Sequence, residues 1–314
     1  MDLSEDSRAL ICLSARLGIG DIEPLRGKEI HLLQEALPTL GQIFQTPRSE
    51  LIHKGISEEL LERSISLVNR ASGVMSSLVR LEEMGIRPVT LYDDEYPINL
   101  KKKLGSGAPQ ILFYSGDLTH LDSDGIGIVG SRNVDKDGLK AAEAIAQNAV
   151  KLGYPVVSGG AAGIDQAAMR SAVESGGVVV TSLGHSLVKG IEPPEAQRLL
   201  YEGQIMFLTP YGPEDHFSIG LVMGNNRIIY ALSKTTVVVA SEKESGGTWA
   251  GATEAMRKKF GHVTVWDGDG RGSGNDSLIG MGASRLSNPT DLPKILENIV
   301  EPTRRETYEQ KRLI

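Results

Sequence analysis

The 314-residue chain contains one cysteine, Cys12, which excludes an internal disulfide and any multi-cysteine zinc site. Cys12 sits among apolar residues on an expected helix and is assigned to the core. Aromatic residues are scarce at 5%, yet 40% hydrophobic and 23% charged content still supports one sizeable core and a smaller second one. No apolar run reaches the roughly eighteen residues of a membrane-spanning helix. The amino terminus, MDLSEDSRAL, carries acids where a secretory signal would have a basic and then an apolar stretch, so the expected location is the cytoplasm. Positive charge is also short: 33 Lys and Arg against 40 Asp and Glu leave a net −7, which argues against coating nucleic acid by bulk charge. A local basic groove is still allowed. The dense patches are Lys101-Lys102-Lys103, Arg257-Lys258-Lys259 and, near the end, Arg304-Arg305 with Lys311-Arg312. Each is expected to be a solvated face. Prolines number 14 against 36 glycines, with no collagen period or low-complexity tract, a balance that suits tight turns between strands and helices.

Residues 1–86 read as short helices. Ser4 is the expected N-cap of a first helix whose apolar stripe is Ala9, Leu10, Leu13 and Leu17. The stripe ends at Gly18-Ile19-Gly20, a turn that resembles a helix-hairpin-helix (SAM-like) backbone-docking turn, although Asp21 and Glu23 beside it would repel phosphate. From Ile86 short apolar runs bounded by glycine alternate with helical patterns. Strands are expected at 88–92, 111–114, 126–129, 155–157, 178–182, 204–208, 235–240 and 262–266. That rhythm predicts an α/β fold, a doubly wound, mostly parallel Rossmann-like sheet over residues 87–300, with a small helical domain before it and a tail at 301–314.

Four segments carry the chemistry. A strand ending in Val129-Gly130-Ser131-Arg132 sets a turn and a guanidinium at the carboxyl edge of the sheet, beside a helix start. The spacing of Gly127, Gly130 and Gly138 is not the dinucleotide fingerprint, which disfavours a nicotinamide dehydrogenase. Ser158-Gly159-Gly160-Ala161-Ala162-Gly163-Ile164-Asp165 follows the next strand; its small residues would let main-chain amides approach an anion, Ser158 would add a hydroxyl, and Asp165 would brace the loop as a cap. No Gly-Lys-Ser/Thr follows, so this is not a Walker loop. Asn225, Asn226 and Arg227 are expected at the opening of an apolar helix, where amides and a guanidinium would hold phosphate or base edges. Ser245, Gly246, Gly247 and Thr248 again place a small-residue turn before a helix. Four such turns would line one edge of the sheet.

In this order the motifs resemble the DNA-processing protein A (DprA/Smf) family across about three quarters of the chain. The likeness takes in Tyr96-Pro97, Ile111 to Leu118, Val129 to Arg132, Ser158 to Asp165, Asn226 to Ile229, Ser245 to Thr248, and Gly274-Asn275 leading to Leu278 to Ala283. It implies a homodimer that binds single-stranded DNA and loads a RecA-type recombinase during natural transformation, with Arg132, Ser158, Gly159, Gly160 and Arg227 on backbone phosphates. No cofactor and no metal are expected. Asn225 stands where the family usually has a second arginine, which removes or weakens one contact, and the stop at Ile314 leaves no room for the winged-helix module of many members. The chain therefore reads as a divergent member.

Two other readings stay open at this point. Gly246-Gly247-Thr248 with Glu254 is similar to the signature of LOG-type nucleoside monophosphate phosphoribohydrolases, though without its proline or its glutamate spacing. A nucleotide sensor without turnover would use the same loops. Elsewhere no catalytic constellation is visible: the six histidines show no metal-like pairing and no serine sits in a nucleophile elbow. His216 beside Phe217, and Trp249, are weighed as base contacts against a turn residue and a core or interface side chain.

Overall fold

The computed structural model describes residues 3–17, 22–216 and 218–299. Five helices come first: α1 (Glu5–Ser14), α2 (Gly27–Ala36), α3 (Arg48–His53), α4 (Glu58–Val68) and α5 (Ala71–Glu83). Ser4 caps α1 as its hydroxyl chemistry predicts, accepting from the Ser7 amide at 3.0 Å. The Gly18-Ile19-Gly20 turn with Asp21, Phe217 and the 301–314 tail lie outside the described residues.

The strands are β1 (Arg87–Thr90), β2 (Ile111–Ser115), β3 (Gly125–Val129), β4 (Val156–Ser158), β5 (Val179–Ser182), β6 (Ile205–Thr209), β7 (Ser233–Val238), β8 (Val263–Trp266) and β9 (Ser284–Leu286). Between and after them come α6 (Ile98–Leu104), α7 (Lys136–Lys151), α8 (Ile164–Glu174), α9 (Leu187–Ile191), α10 (Pro194–Tyr201), α11 (Ile219–Ala231), α12 (Gly246–Lys258), α13 (Asn275–Gly280) and α14 (Leu292–Glu297). One sheet holds all nine strands in the order β1-β2-β6-β5-β4-β3-β7-β8-β9. Strands β3 to β9 pair in parallel, whereas β1–β2 and β2–β6 are antiparallel, so the sheet is mixed at one edge.

The parallel strands β3 to β8 are buried on both faces, which is why they read as short apolar runs rather than alternating ones, whereas β9 at the edge is not. Along β3 and β7, Ile126, Ile128 and Val237 enter one core, while Val129 and Val238 enter the other. On the first face α7 meets α8 through Ala141, Ala142, Ala146, Ala167, Ala168 and Ala172, small side chains that let the helices come close. The core of α1 to α5 is continuous with that layer. Polar contacts join them too: the Ser7 hydroxyl donates to Asp93 at 2.6 Å and lies 3.0 Å from the Thr90 hydroxyl. Cys12 is buried in this core, and burial pushes its thiol up to about 11, so it is an inert packing group at neutral pH.

Candidate nucleic-acid interface

Strand β3 lies between β4 and β7. From β3 the chain runs outward through β4, β5 and β6, then crosses back to β7 and continues the other way. The turns after β3 and β7 therefore diverge and leave a crevice at the carboxyl ends of the strands, the usual ligand position in such sheets. A cavity of about 750 Å³ opens there. Of the expected site residues it brings together Gly130, Ser131, Arg132, Asn226, Ser245, Gly246, Gly247 and Thr248. Ser158, Gly159, Gly160, Gly163, Asn225 and Arg227 do not line it.

The β4–α8 turn is closed on itself. Ser158 is fully buried and its hydroxyl donates to the Ile128 carbonyl at 2.7 Å, so the expected phosphate donor is instead a tie between β4 and β3. Asp165 is buried at the start of α8 and accepts from the amides of Gly159 (3.1 Å) and Ala161 (3.4 Å). The expected brace is thus also the anion that this loop encloses. Burial drives the Asp165 carboxyl up to about 6, against the pull of those amides. Glycine is required here for packing: Gly163 has φ +83°, and a Cβ on it would lie 2.5 Å from the Ser131 carbonyl oxygen. A Cβ on Gly130 would lie 2.6 Å from Ile164.

Asn225, Asn226 and Arg227 stand inside α11 rather than at its opening, because the helix already begins after Ser218, whose hydroxyl accepts from the Leu221 amide. Three consecutive helical positions point three ways. Asn225 is buried and spends both ends of its amide on Ser182, accepting from the hydroxyl at 2.7 Å and donating to the carbonyl at 2.6 Å. Arg227 donates through Nε to the Gly224 carbonyl at 3.0 Å, lies near Tyr211 and does not line the crevice that Arg132 lines. Asn226 alone faces the crevice, donating to the Gly247 carbonyl at 2.9 Å.

The β7–α12 turn is open. Its loop takes positive φ at Glu244 (+56°) and Gly246 (+77°), and the Ser245 side chain at the N-cap makes no capping bond. The first amides of a 13-residue helix are thus left without a side-chain acceptor at the cavity mouth. Arg132 on the opposite lip is exposed and has no hydrogen bond or ion pair among the described residues. Beneath the loop, Asn275 is fully buried and makes three hydrogen bonds to two segments: it accepts from the Ser241 amide and donates to the carbonyls of Val239 and Trp266. Trp249 lines the cavity, half-buried.

Sequence reasoning missed Tyr230. It is 2% exposed, lines the cavity and leaves its hydroxyl without a partner among the described residues. Burial, with Asp165 nearby, pushes its phenol upward, so it stays protonated. Its spacing of four from Asn226 on a helix was the available signal. Glu254, by contrast, is outside the cavity and pairs with Lys258 at 2.6 Å.

A larger cavity, about 1740 Å³, lies between the amino-terminal helices and the β2 side of the sheet. Among its lining residues, Arg16 and Arg26 both face Glu23, and Arg63 pairs with Glu29. His216 lines this cavity and not the crevice.

The family model described as DNA recombination-mediator protein A matches residues 87–297. The DNA processing protein DprA of Streptococcus pneumoniae is 31% identical over 211 residues, 65% of this chain and 72% of that protein. DprA of Bacillus subtilis is 28% identical over 225 residues, 68% of this chain and 73% of that one. Among solved structures, the S. pneumoniae DprA covers 88% of this chain and 99% of its own with a TM-score of 0.63 at 24% identity, a likeness of fold. Matched in sequence across the whole sheet and in the fold that carries the crevice, the chain belongs to the DNA recombination-mediator protein A (DprA/Smf) family.

Proposed function

We propose that this protein binds single-stranded DNA at the carboxyl edge of its sheet, with the strand's phosphates meeting the amino end of α12 and the guanidinium of Arg132. The observation that carries this reading is the uncapped start of α12 facing an unpartnered arginine across the β3–β7 crevice. Fixed amides at a helix start favour an anion, and a guanidinium adds charge-assisted hydrogen bonds. A Debye length of about 8 Å at physiological salt screens the remote acids behind the net −7. Support also comes from the family, one of whose members, from Helicobacter pylori, has a structure described as showing a single-stranded DNA binding mode. In this reading residues 87–300 form the binding domain, residues 1–86 a small helical domain before it, and the protein acts as a cytoplasmic homodimer that loads a RecA-type recombinase.

Fluorescence anisotropy with a labelled single strand and the matching duplex, at one salt concentration, tests the core of the proposal. A flexible strand fits its phosphates into a crevice where a stiff duplex does not, so tighter single-strand binding is expected and equal affinity overturns it. Arg132→Ala should cost about 1–3 kcal/mol and lower the salt slope by about one. For the loading step, faster recombinase filament assembly on single strands in the presence of the protein is expected, and an unchanged rate refutes it.

A further inference from the structure

We propose that the larger groove, between the amino-terminal helices and the β2 side of the sheet, is a second contact surface for the same single strand, which leaves the crevice across the start of α11 and runs on beside α2. This rests on the single-strand reading and extends it. The charge of the crevice shows why more surface is needed. Arg132 shares its lip with Glu242 and Glu244, so the crevice offers one guanidinium to a polymer that brings a charge with every nucleotide.

The groove has the opposite balance. On the wall built by the amino-terminal helices Arg16 and Arg26 both face Glu23, at 3.6 and 3.8 Å, so two guanidinium groups share one carboxylate. Lys28, exposed in the first turn of α2, has no hydrogen bond or ion pair among the described residues. Arg63 and Glu29 cancel, and the remaining carboxylate, Asp215, accepts from the Gly212 amide at 2.9 Å. Four cations thus meet three carboxylates on a chain whose net charge is −7. At about 1740 Å³ the groove exceeds the usual small-molecule site and suits a length of chain. Half-buried Tyr211 and Leu221 give its bases a surface to pack on.

One helix joins the two sites. Ser218 and Leu221 at the start of α11 line the groove, while Met223 and Asn226 line the crevice. From Ser218 to Asn226 is roughly 12 Å of helix, a short step for a strand. Gly220 and Gly224 stand one turn apart on α11, with Arg227 a turn further along the same face. A Cβ on Gly220 would meet nothing within 4 Å, so a backbone can pass close there.

Fluorescence anisotropy of the full chain with labelled strands of about four and about sixteen nucleotides provides the test; the short strand fills one site and the long one reaches both. Lys28→Glu puts an acid in the first turn of α2, which favours the helix, so the fold should hold. It should weaken the long strand by about tenfold, lower its salt slope by about one and leave the short strand unchanged, whereas Arg132→Ala should weaken both. Equal affinity for the two lengths, or a long strand indifferent to Lys28→Glu, overturns the proposal, leaves the groove to another partner and does not touch the crevice reading. Both lengths weakened by Lys28→Glu and neither by Arg132→Ala would sink the crevice reading and keep the groove. Location is checked with a photoreactive group attached through Ser106→Cys, an exposed position in the groove lining, since buried Cys12 does not compete for the label. Crosslinking to the long strand is expected there, and none overturns the proposal.

Discussion

Two glycine-rich turns flank the central strand β3, one after β4 and one after β7, and they have opposite fates. In the first, the amides of Gly159 and Ala161 are satisfied by Asp165, and the glycines are there so that the turn fits under the loop after β3. In the second, Ser245 leaves α12 uncapped and a Cβ on Gly246 would meet nothing within 4 Å. Composition alone does not separate a loop that binds an anion from one that already contains it. The difference is an acid six positions beyond Gly159, carried back over the loop by α8.

Substitutions can break this contrast, beginning with the largest effect. Gly163→Ala combines φ +83° with a contact 2.5 Å from the Ser131 carbonyl oxygen, and backbone cannot swing away as a side chain can. Destabilisation of about 3 kcal/mol or more is expected from urea unfolding, and a loss under about 1 kcal/mol would show that the turns are not interlocked. Next comes Asp165→Asn. The folded carboxyl titrates at about 6 against an ordinary 3.8, so the native state holds its proton more tightly than the unfolded chain. The stability this contributes is full below pH 4 and lost as pH rises through about 6. The wild type should therefore lose on the order of 2 kcal/mol relative to the asparagine variant between pH 4 and 6.5. Parallel pH profiles of the two would show that the loop does not enclose a desolvated acid.

Smaller effects sharpen the comparison from the open side. Gly246→Ala meets only the strain of φ +77°, with no neighbour to strike, so a loss of about 1 kcal/mol is expected. A cost equal to that of Gly163→Ala would make the β7–α12 turn as packed as the other. Smallest is Glu254→Ala, which removes a partly exposed i,i+4 pair with Lys258 and should cost about 0.5 kcal/mol or less. DNA affinity should not move, and base release from nucleoside monophosphates that disappears in this variant would revive the hydrolase reading.

The sheet and its turns were legible because buried parallel strands leave apolar runs with glycine at their ends, as at Ile126 to Gly130. Ser4 and the approach of Ser131 and Arg132 to Ser245 through Thr248 were legible for the same local reasons. Strand β9 was not, since Ser284-Arg285-Leu286 has one buried residue and no run. Nor was the split among Asn225, Asn226 and Arg227, because motif reading treats neighbours as a unit whereas a helix rotates each by about 100°. Arg227, expected on phosphate like Arg132, lies near Tyr211 and outside the crevice. Tyr230 hid within an apolar stretch, Ile228 to Leu232, where an aromatic residue signals only core.

The pairing of β3 with β7 joins residue 125 to residue 233, with three other strands of the sheet made in between. A chain emerging from its amino end can assemble β3 through β6 early, but the crevice has only one wall until β7 and α12 arrive. Closing so long a loop is slow and carries an entropic cost that nearby contacts do not. Ligand-binding capacity should therefore appear last in refolding, after most of the helical signal has returned, and occupancy of the crevice would report completion of the fold.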